Sequence, residues 1–218
     1  MNRTLVAICI VLAMASAIYA ADATPRPGAT VIGNWEDGLL DGWSAAGYAY
    51  IEVDSGVSNT LGPAATMGTN ALQVACDGSY WGLNYAFPTP PTIGPGCKFS
   101  FDLTVLASDE IGWEDFGEKI SLNSDGPSGY EEFAPTVVNR ADGSPTGHDW
   151  GPWTGDFART YTYDVSSYND TGATWMQLWI SYQGWPATAY MDNAEFCPEP
   201  ATMALMGLGG LALIRRKK

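Results

Sequence analysis

Flat aromatic rings in turns, closely set acids and a few cysteines are the residues of this chain whose spacing could do chemistry. The 218 residues include nine tryptophans and eleven tyrosines. An aromatic face can stack on the apolar face of a sugar ring while neighbouring acids and amides take the hydroxyls. Tyr80-Trp81 follows Gly78-Ser79, Trp113 lies between Glu110 and Glu114, Trp150 and Trp153 surround Gly151-Pro152, and Trp185 precedes Pro186. All six sit in turn-like sequence, where a large ring must either fold back or present a surface. Loops on a rigid scaffold usually carry the binding residues, so these six form the candidate ligand-binding set. Trp43, Trp175 or Trp179, and Phe99 or Phe101 read instead as core, because they fall in alternating strands.

Catalysis has thin support. A two-carboxylate hydrolase needs its acids roughly 5–9.5 Å apart across a cleft. Glu114 and Asp115 are adjacent, as are Glu131 and Glu132, and adjacent residues of a strand point to opposite faces. His148-Asp149 has no Gly-x-Ser-x-Gly elbow to go with it. The chain is therefore expected not to be an enzyme. A single histidine also gives a His/Cys zinc site little to build on.

The elements that must position these residues are strands. Helical periodicity is nearly absent, and short alternating runs separated by Gly, Pro, Asn and Asp recur along the chain. The clearest strands are 48–53, 71–75, 82–87, 98–106, 119–122, 160–165, 175–182 and 189–196. In 175–182, Trp175, Gln177, Trp179 and Ser181 share one face, and Met176, Leu178, Ile180 and Tyr182 share the other, which suits a sandwich interior. The Gly-, Pro-, Asp- and Ser-rich stretch 123–153 reads as a long decorated connection with few regular strands. The expected fold is all-β, an antiparallel β-sandwich of jelly-roll type, with an N-terminal signal helix and a short hydrophobic C-terminal helix.

Both ends read as addresses. Met1-Asn2-Arg3, the apolar Leu5–Ile18 and the small-x-small Ala21-Asp22-Ala23 form a secretory signal peptide, residues 1–23. Pro198-Glu199-Pro200 is followed by an apolar run from Ala201 to Ile214 and then Arg215-Arg216-Lys217-Lys218. At about 1.5 Å per helical residue that run reaches roughly 20 Å, short of the ~30 Å hydrocarbon core. The terminal cations suit the cytoplasmic side. This ending resembles the PEP-CTERM sorting signal of Gram-negative bacteria. The resemblance covers residues 198–218 and implies transient inner-membrane insertion, recognition at Pro198, Glu199, Pro200, Arg215 and Arg216 by an exosortase, tail removal, and release or attachment outside the cell, often beside exopolysaccharide. An ordinary membrane anchor is the alternative.

Removing both ends takes five of ten cations (Arg3 and the final four) and two of 24 acids (Asp22 and Glu199), which leaves 22 acids against 5 bases. Such a surface repels nucleic acid and anionic membranes. About 174 residues remain, enough for one domain with a real core. Residues 24–33 read as a linker and 34–197 as that domain. Export permits disulfides; Cys76 and Cys97 flank a loop between strand-like segments and are the expected pair, with Cys197 left over or paired elsewhere.

Trp35-Glu36-Asp37-Gly38 with Asp41-Gly42-Trp43, then Gly68-Thr69-Asn70-Ala71-Leu72-Gln73-Val74, then Tyr190-Met191-Asp192-Asn193-Ala194-Glu195-Phe196 resemble the jelly-roll carbohydrate-binding modules, also called galactose-binding-like domains. The resemblance implies that first and last strands are neighbours. It also implies a structural calcium at Glu36 and Asp192, with Asn70 or its turn supplying further oxygens. The function expected is an exported, exosortase-processed envelope or matrix protein that binds glycan or exopolysaccharide non-catalytically. A structural matrix protein without sugar binding is the alternative, and a β-sandwich glycosidase a third.

Overall fold

Period-two alternation with turn-forming breaks resolves into thirteen strands among the described residues. The computed structural model describes residues 29–46, 49–55, 70–76, 81–105, 114–140, 143–146, 157–184 and 187–197. The expected signal helix and the expected short hydrophobic C-terminal helix lie outside them. In chain order the strands are β1 (Thr30–Gly33), β2 (Trp43–Ala46), β3 (Ala49–Ser55), β4 (Asn70–Cys76), β5 (Trp81–Ala86), β6 (Lys98–Val105), β7 (Glu114–Ser124), β8 (Tyr130–Phe133), β9 (Val137–Arg140), β10 (Pro145–Thr146), β11 (Phe157–Asp164), β12 (Met176–Gly184) and β13 (Ala187–Cys197). β1 lies wholly inside the segment read as a linker, 24–33. The stretch read as a long connection, 123–153, carries β8, β9 and β10, each four residues or fewer.

Two antiparallel sheets result. One runs β10-β9-β11-β6-β13-β4-β3, with β1 also paired to β13; the other runs β2-β5-β12-β7-β8. First and last strands are thus neighbours, through Thr30↔Phe196 and Gly33↔Ala194. Phe99, Phe101, Leu103 and Val105 of β6 are all fully buried and face Phe116, Ile120, Leu122, Leu178 and Ile180 of the smaller sheet in one core. Each such side chain contributes about 1.5–3 kcal/mol when removed from water. Phe101 stacks on Tyr161 with centroids 5.3 Å apart and planes 13° from parallel. Trp43 is core as expected, 3% exposed, and its Nε1 donates to the Ile32 carbonyl at 2.7 Å. Gly33 has to be glycine there: a Cβ would lie 2.5 Å from the Trp35 ring and 2.9 Å from Trp43 Nε1.

The register overturns the expected Cys76–Cys97 disulfide. Ala187, the first residue of β13, pairs with Cys76, whereas Cys197, its last, pairs with Lys98 beside Cys97. Cys76 and Cys97 therefore sit at opposite ends of an eleven-residue strand, about 30 Å apart at ~3.3 Å per residue. A bridge needs Cα atoms within roughly 7 Å. Closeness in sequence misled because β4 and β6 are separated by β13 and run parallel to each other. Cys97 is instead part of the buried core.

Candidate functional site

The outer face of the five-stranded sheet is built by strand alternation against the core. In β12, Met176, Leu178 and Ile180 are buried at 1% or less, so Gln177, Trp179 and Ser181 must point outward. The register then sets their neighbours. Trp179 lies between Asn84 of β5 and Ser121 of β7, Gln177 beside Asn123, and Ser181 beside Gly82. Across β8, Ser121 faces Glu132 and Asn123 faces Tyr130. Apart from Asn84, these residues line a groove of about 530 Å³.

Gly82 shapes its floor. A Cβ there would meet Trp179 Cε3 at 3.0 Å and Cζ3 at 3.4 Å, so the bare glycine leaves room for the indole to lie down over β5. Trp179 itself is half-buried. Trp179 is therefore not core, and Trp175, 43% exposed just before β12, is not core either. The expectation failed for both because alternation says which residues share a face, and the partners decide which face is buried.

The β7–β8 hairpin is held in place by its turn. The Tyr168 hydroxyl bridges the Gly129 carbonyl at 2.6 Å and the Ser124 hydroxyl at 2.8 Å. Asp125 accepts the Thr174 N–H at 2.7 Å and the Trp175 N–H at 3.2 Å. On that hairpin Lys119 Nζ donates to Glu132 Oε2 at 2.9 Å, and Tyr130 Oη donates to Glu132 Oε1 at 2.7 Å. The Lys119 ammonium, then the Tyr130 hydroxyl, hold the Glu132 carboxyl below its ordinary range. Lys119 carries a second role at its backbone, where its carbonyl accepts from Ser181 Oγ at 2.8 Å.

Tyr80, Trp113, Trp150, Trp153 and Trp185 lie outside the described residues, and Trp81 opens β5 opposite Tyr182 with its side chain also outside them. The sorting residues Pro198, Glu199, Pro200, Arg215 and Arg216 lie outside as well. Missed from the sequence were Trp179, Gln177, Asn123, Tyr130 and Lys119. One signal could have found them: in Gln177-x-Trp179-x-Ser181 the indole keeps company with an amide and a hydroxyl on one face, the pattern of a wet surface.

Glu36 and Asn70 do meet. The Asn70 backbone N–H donates to Glu36 Oε1 at 2.8 Å, and Asn70 Nδ2 donates to the carbonyls of Trp35 at 3.1 Å and Glu36 at 3.3 Å. Asp192 stands directly opposite Asp102 on the outer face of the larger sheet, with both carboxylates buried. The Asn193 N–H donates to Asp192 at 2.7 Å and Asn193 Nδ2 to Asp102 at 3.2 Å. Among the described residues no three His, Cys, Asp or Glu side chains gather as a metal set.

Two antiparallel sheets with this strand pairing and an open groove across one face can be compared with known proteins. Residues 197–218 match the PEP-CTERM protein-sorting motif family. The tail is a PEP-CTERM sorting motif. The domain before it is similar to a carbohydrate-binding module specific for non-crystalline cellulose, CBM28, with TM-score 0.50 and 13% identity over 80% of this chain and 98% of that one. It is equally similar to the CBM22-1 xylan-binding domain of Paenibacillus barcinonensis Xyn10C, with TM-score 0.50 and 12% identity over 80% and 98%. A third neighbour, from the carbohydrate-binding modules of the β-sandwich superfamily, matches at TM-score 0.48 and 16% identity, and this chain spans 62% of its length. Comparison with curated proteins gives no match. The fold of the domain that precedes the PEP-CTERM motif is similar to that of the jelly-roll carbohydrate-binding modules.

Proposed function

We propose that the processed protein acts outside the cell as a non-catalytic glycan-binding module, and that the outer face of the five-stranded sheet is where the glycan lies. The observation that carries this reading is the indole of Trp179 lying over Gly82 between the amide and hydroxyl rows of Asn84 and Ser121. A pyranose stacks its apolar face on the indole, and Gln177, Asn123 and Ser121 bond its hydroxyls at strand spacings of about 4.8 Å. Hydrolysis would need two carboxylates at the bond to be broken. Among the described lining residues Glu132 is the one acid, and both its oxygens are committed to Lys119 and Tyr130.

The sorting motif supports export and an exosortase partner, and the signal-peptide pattern at 1–23 supports the general secretory route. In this reading the tail holds the chain transiently in the inner membrane until it is cut near Pro198–Pro200. The protein then reaches the outer surface or matrix, where exopolysaccharide is the ligand at hand. The test is electrophoresis of the tail-processed protein through gels containing a panel of polysaccharides. Retardation by at least one is expected. Uniform mobility on every gel would overturn the glycan reading and leave the sandwich as a structural element of the matrix.

Calcium belongs to the same proposal as a stabilising ligand. What supports it is that Glu36 and Asn70 already meet, while β13 carries Asp192 one residue beyond the Met191↔Leu72 pair. A calcium there would take carboxylate and carbonyl oxygens at about 2.3–2.6 Å in place of the Asn70 donors. The melting temperature should fall on chelation and recover when calcium returns. An unchanged melt would leave Asn70 as the lasting partner of Glu36.

A further inference from the structure

We infer that Glu132 restricts the groove to uncharged glycans by holding Lys119 in an ion pair. This deepens the glycan reading of the groove and rests on it. Lys119 is the one cation among the described lining residues. Its ammonium lies 2.9 Å from Glu132, and the two side chains are 39% and 44% exposed, so both stand where a bound chain would pass. Tyr130 Oη holds the other carboxylate oxygen at 2.7 Å, which orients Glu132 toward Lys119. Because Lys119 and Tyr130 hold its carboxyl below the ordinary range, Glu132 is charged at neutral pH.

A uronate reaching this part of the groove meets a cation whose charge is already matched and an anion that repels it. An uncharged sugar meets neither obstacle, since Gln177, Asn123, Ser121 and Ser181 offer amides and hydroxyls. The chain as a whole carries a net charge of −14, but that field is screened beyond about 8–10 Å in ordinary salt. At contact range the pair decides.

The experiment compares the processed protein with its Glu132→Gln variant on gels of neutral polysaccharides (xylan, mixed-linkage glucan) and of polyuronates (alginate, polygalacturonate). Wild type should be retarded by a neutral glycan and not by the polyuronates. E132Q should gain polyuronate affinity of about tenfold over wild type, as expected for one charge-assisted contact. The gain should vanish in the double variant E132Q/K119A and shrink with added salt. Polyuronate binding by wild type, or an E132Q variant that melts like wild type and gains nothing, would overturn the role of Glu132, while retardation of wild type by a neutral glycan would leave glycan binding intact. If neither protein is retarded by any gel, the glycan reading fails and this inference fails with it.

Discussion

Trp179→Ala abolishes retention on the glycan gels while the melting temperature stays within a few degrees of wild type. The indole is half-buried on the outer face of β12 and adds nothing to the inner face, where Met176, Leu178 and Ile180 pack. Its removal therefore costs the core little, while the groove loses its flat platform. A central tryptophan at a binding surface is typically worth about 2 kcal/mol or more, which corresponds to a loss of roughly thirtyfold in affinity. The check is affinity electrophoresis beside a thermal melt. Unchanged retention in the variant would move the ligand off this sheet, and a melt lowered by 10 °C or more would show that the indole supports the fold after all.

Gly117→Ala has the largest expected effect on stability. Gly117 sits in β7 with φ at +75°, and an added Cβ would lie 2.7 Å from Tyr163 Oη and 2.9 Å from Phe101 Cζ. The Tyr163 hydroxyl donates to the Gly117 carbonyl, so neither ring nor backbone can yield without breaking a buried contact. Left-handed strain costs roughly 1–2 kcal/mol and overpacking a further 1–3 kcal/mol. The sum, about 2–5 kcal/mol, lowers Tm by roughly 5–15 °C in a domain of this size. Gly129→Ala is the control. Its φ is +61° but nothing lies within 4 Å of its Cβ position, so only the strain remains. Equal shifts in the two variants would show that crowding against Phe101 and Tyr163 contributes nothing. Gly117 also lies where the pairing of β7 with β12 shifts register between Ile180 and Tyr182, just beyond the Lys119 end of the groove.

Much of the architecture was legible because the information for it is local. Lys98–Val105 is strand by its own alternation, and Phe99 and Phe101 read as core and are core. Trp43 is buried where its strand position placed it. The pairing of first and last strands followed from a resemblance in the Trp35–Trp43 opening and the Tyr190–Phe196 close, and the two strands do lie side by side. Strands of four residues or fewer were missed. β2, β8 and β9 offer two periods at most, too few to stand out from turn sequence, and they persist because a neighbouring strand supplies their hydrogen bonds.

The site was less legible, for a reason visible at β12. Gln177, Trp179 and Ser181 were seen to share one face, and Met176, Leu178 and Ile180 the other. An indole is apolar enough for either side, so composition favoured burying it. Only the pairing with β5 and β7 settles the matter: their inward residues Leu83, Ile120 and Leu122 align with Ile180 and Leu178 and leave Trp179 outside. The lysine and glutamate that meet there are thirteen residues apart, joined by a hairpin whose register depends on its turn. Cysteine pairing failed in the same way, since Cys76 and Cys97 are close along the chain but are separated by the full length of β13.

By itself, then, the sequence determined the sorting motif, the acidic character, the all-β class and which side chains share a face, since each is written in residue types over a few positions. Tertiary structure alone decided which face met the core, which distant acid met which base, and that Trp179 lies over Gly82. Those are set by strand pairing between segments far apart in the chain, where burying one face necessarily turns the other to the solvent.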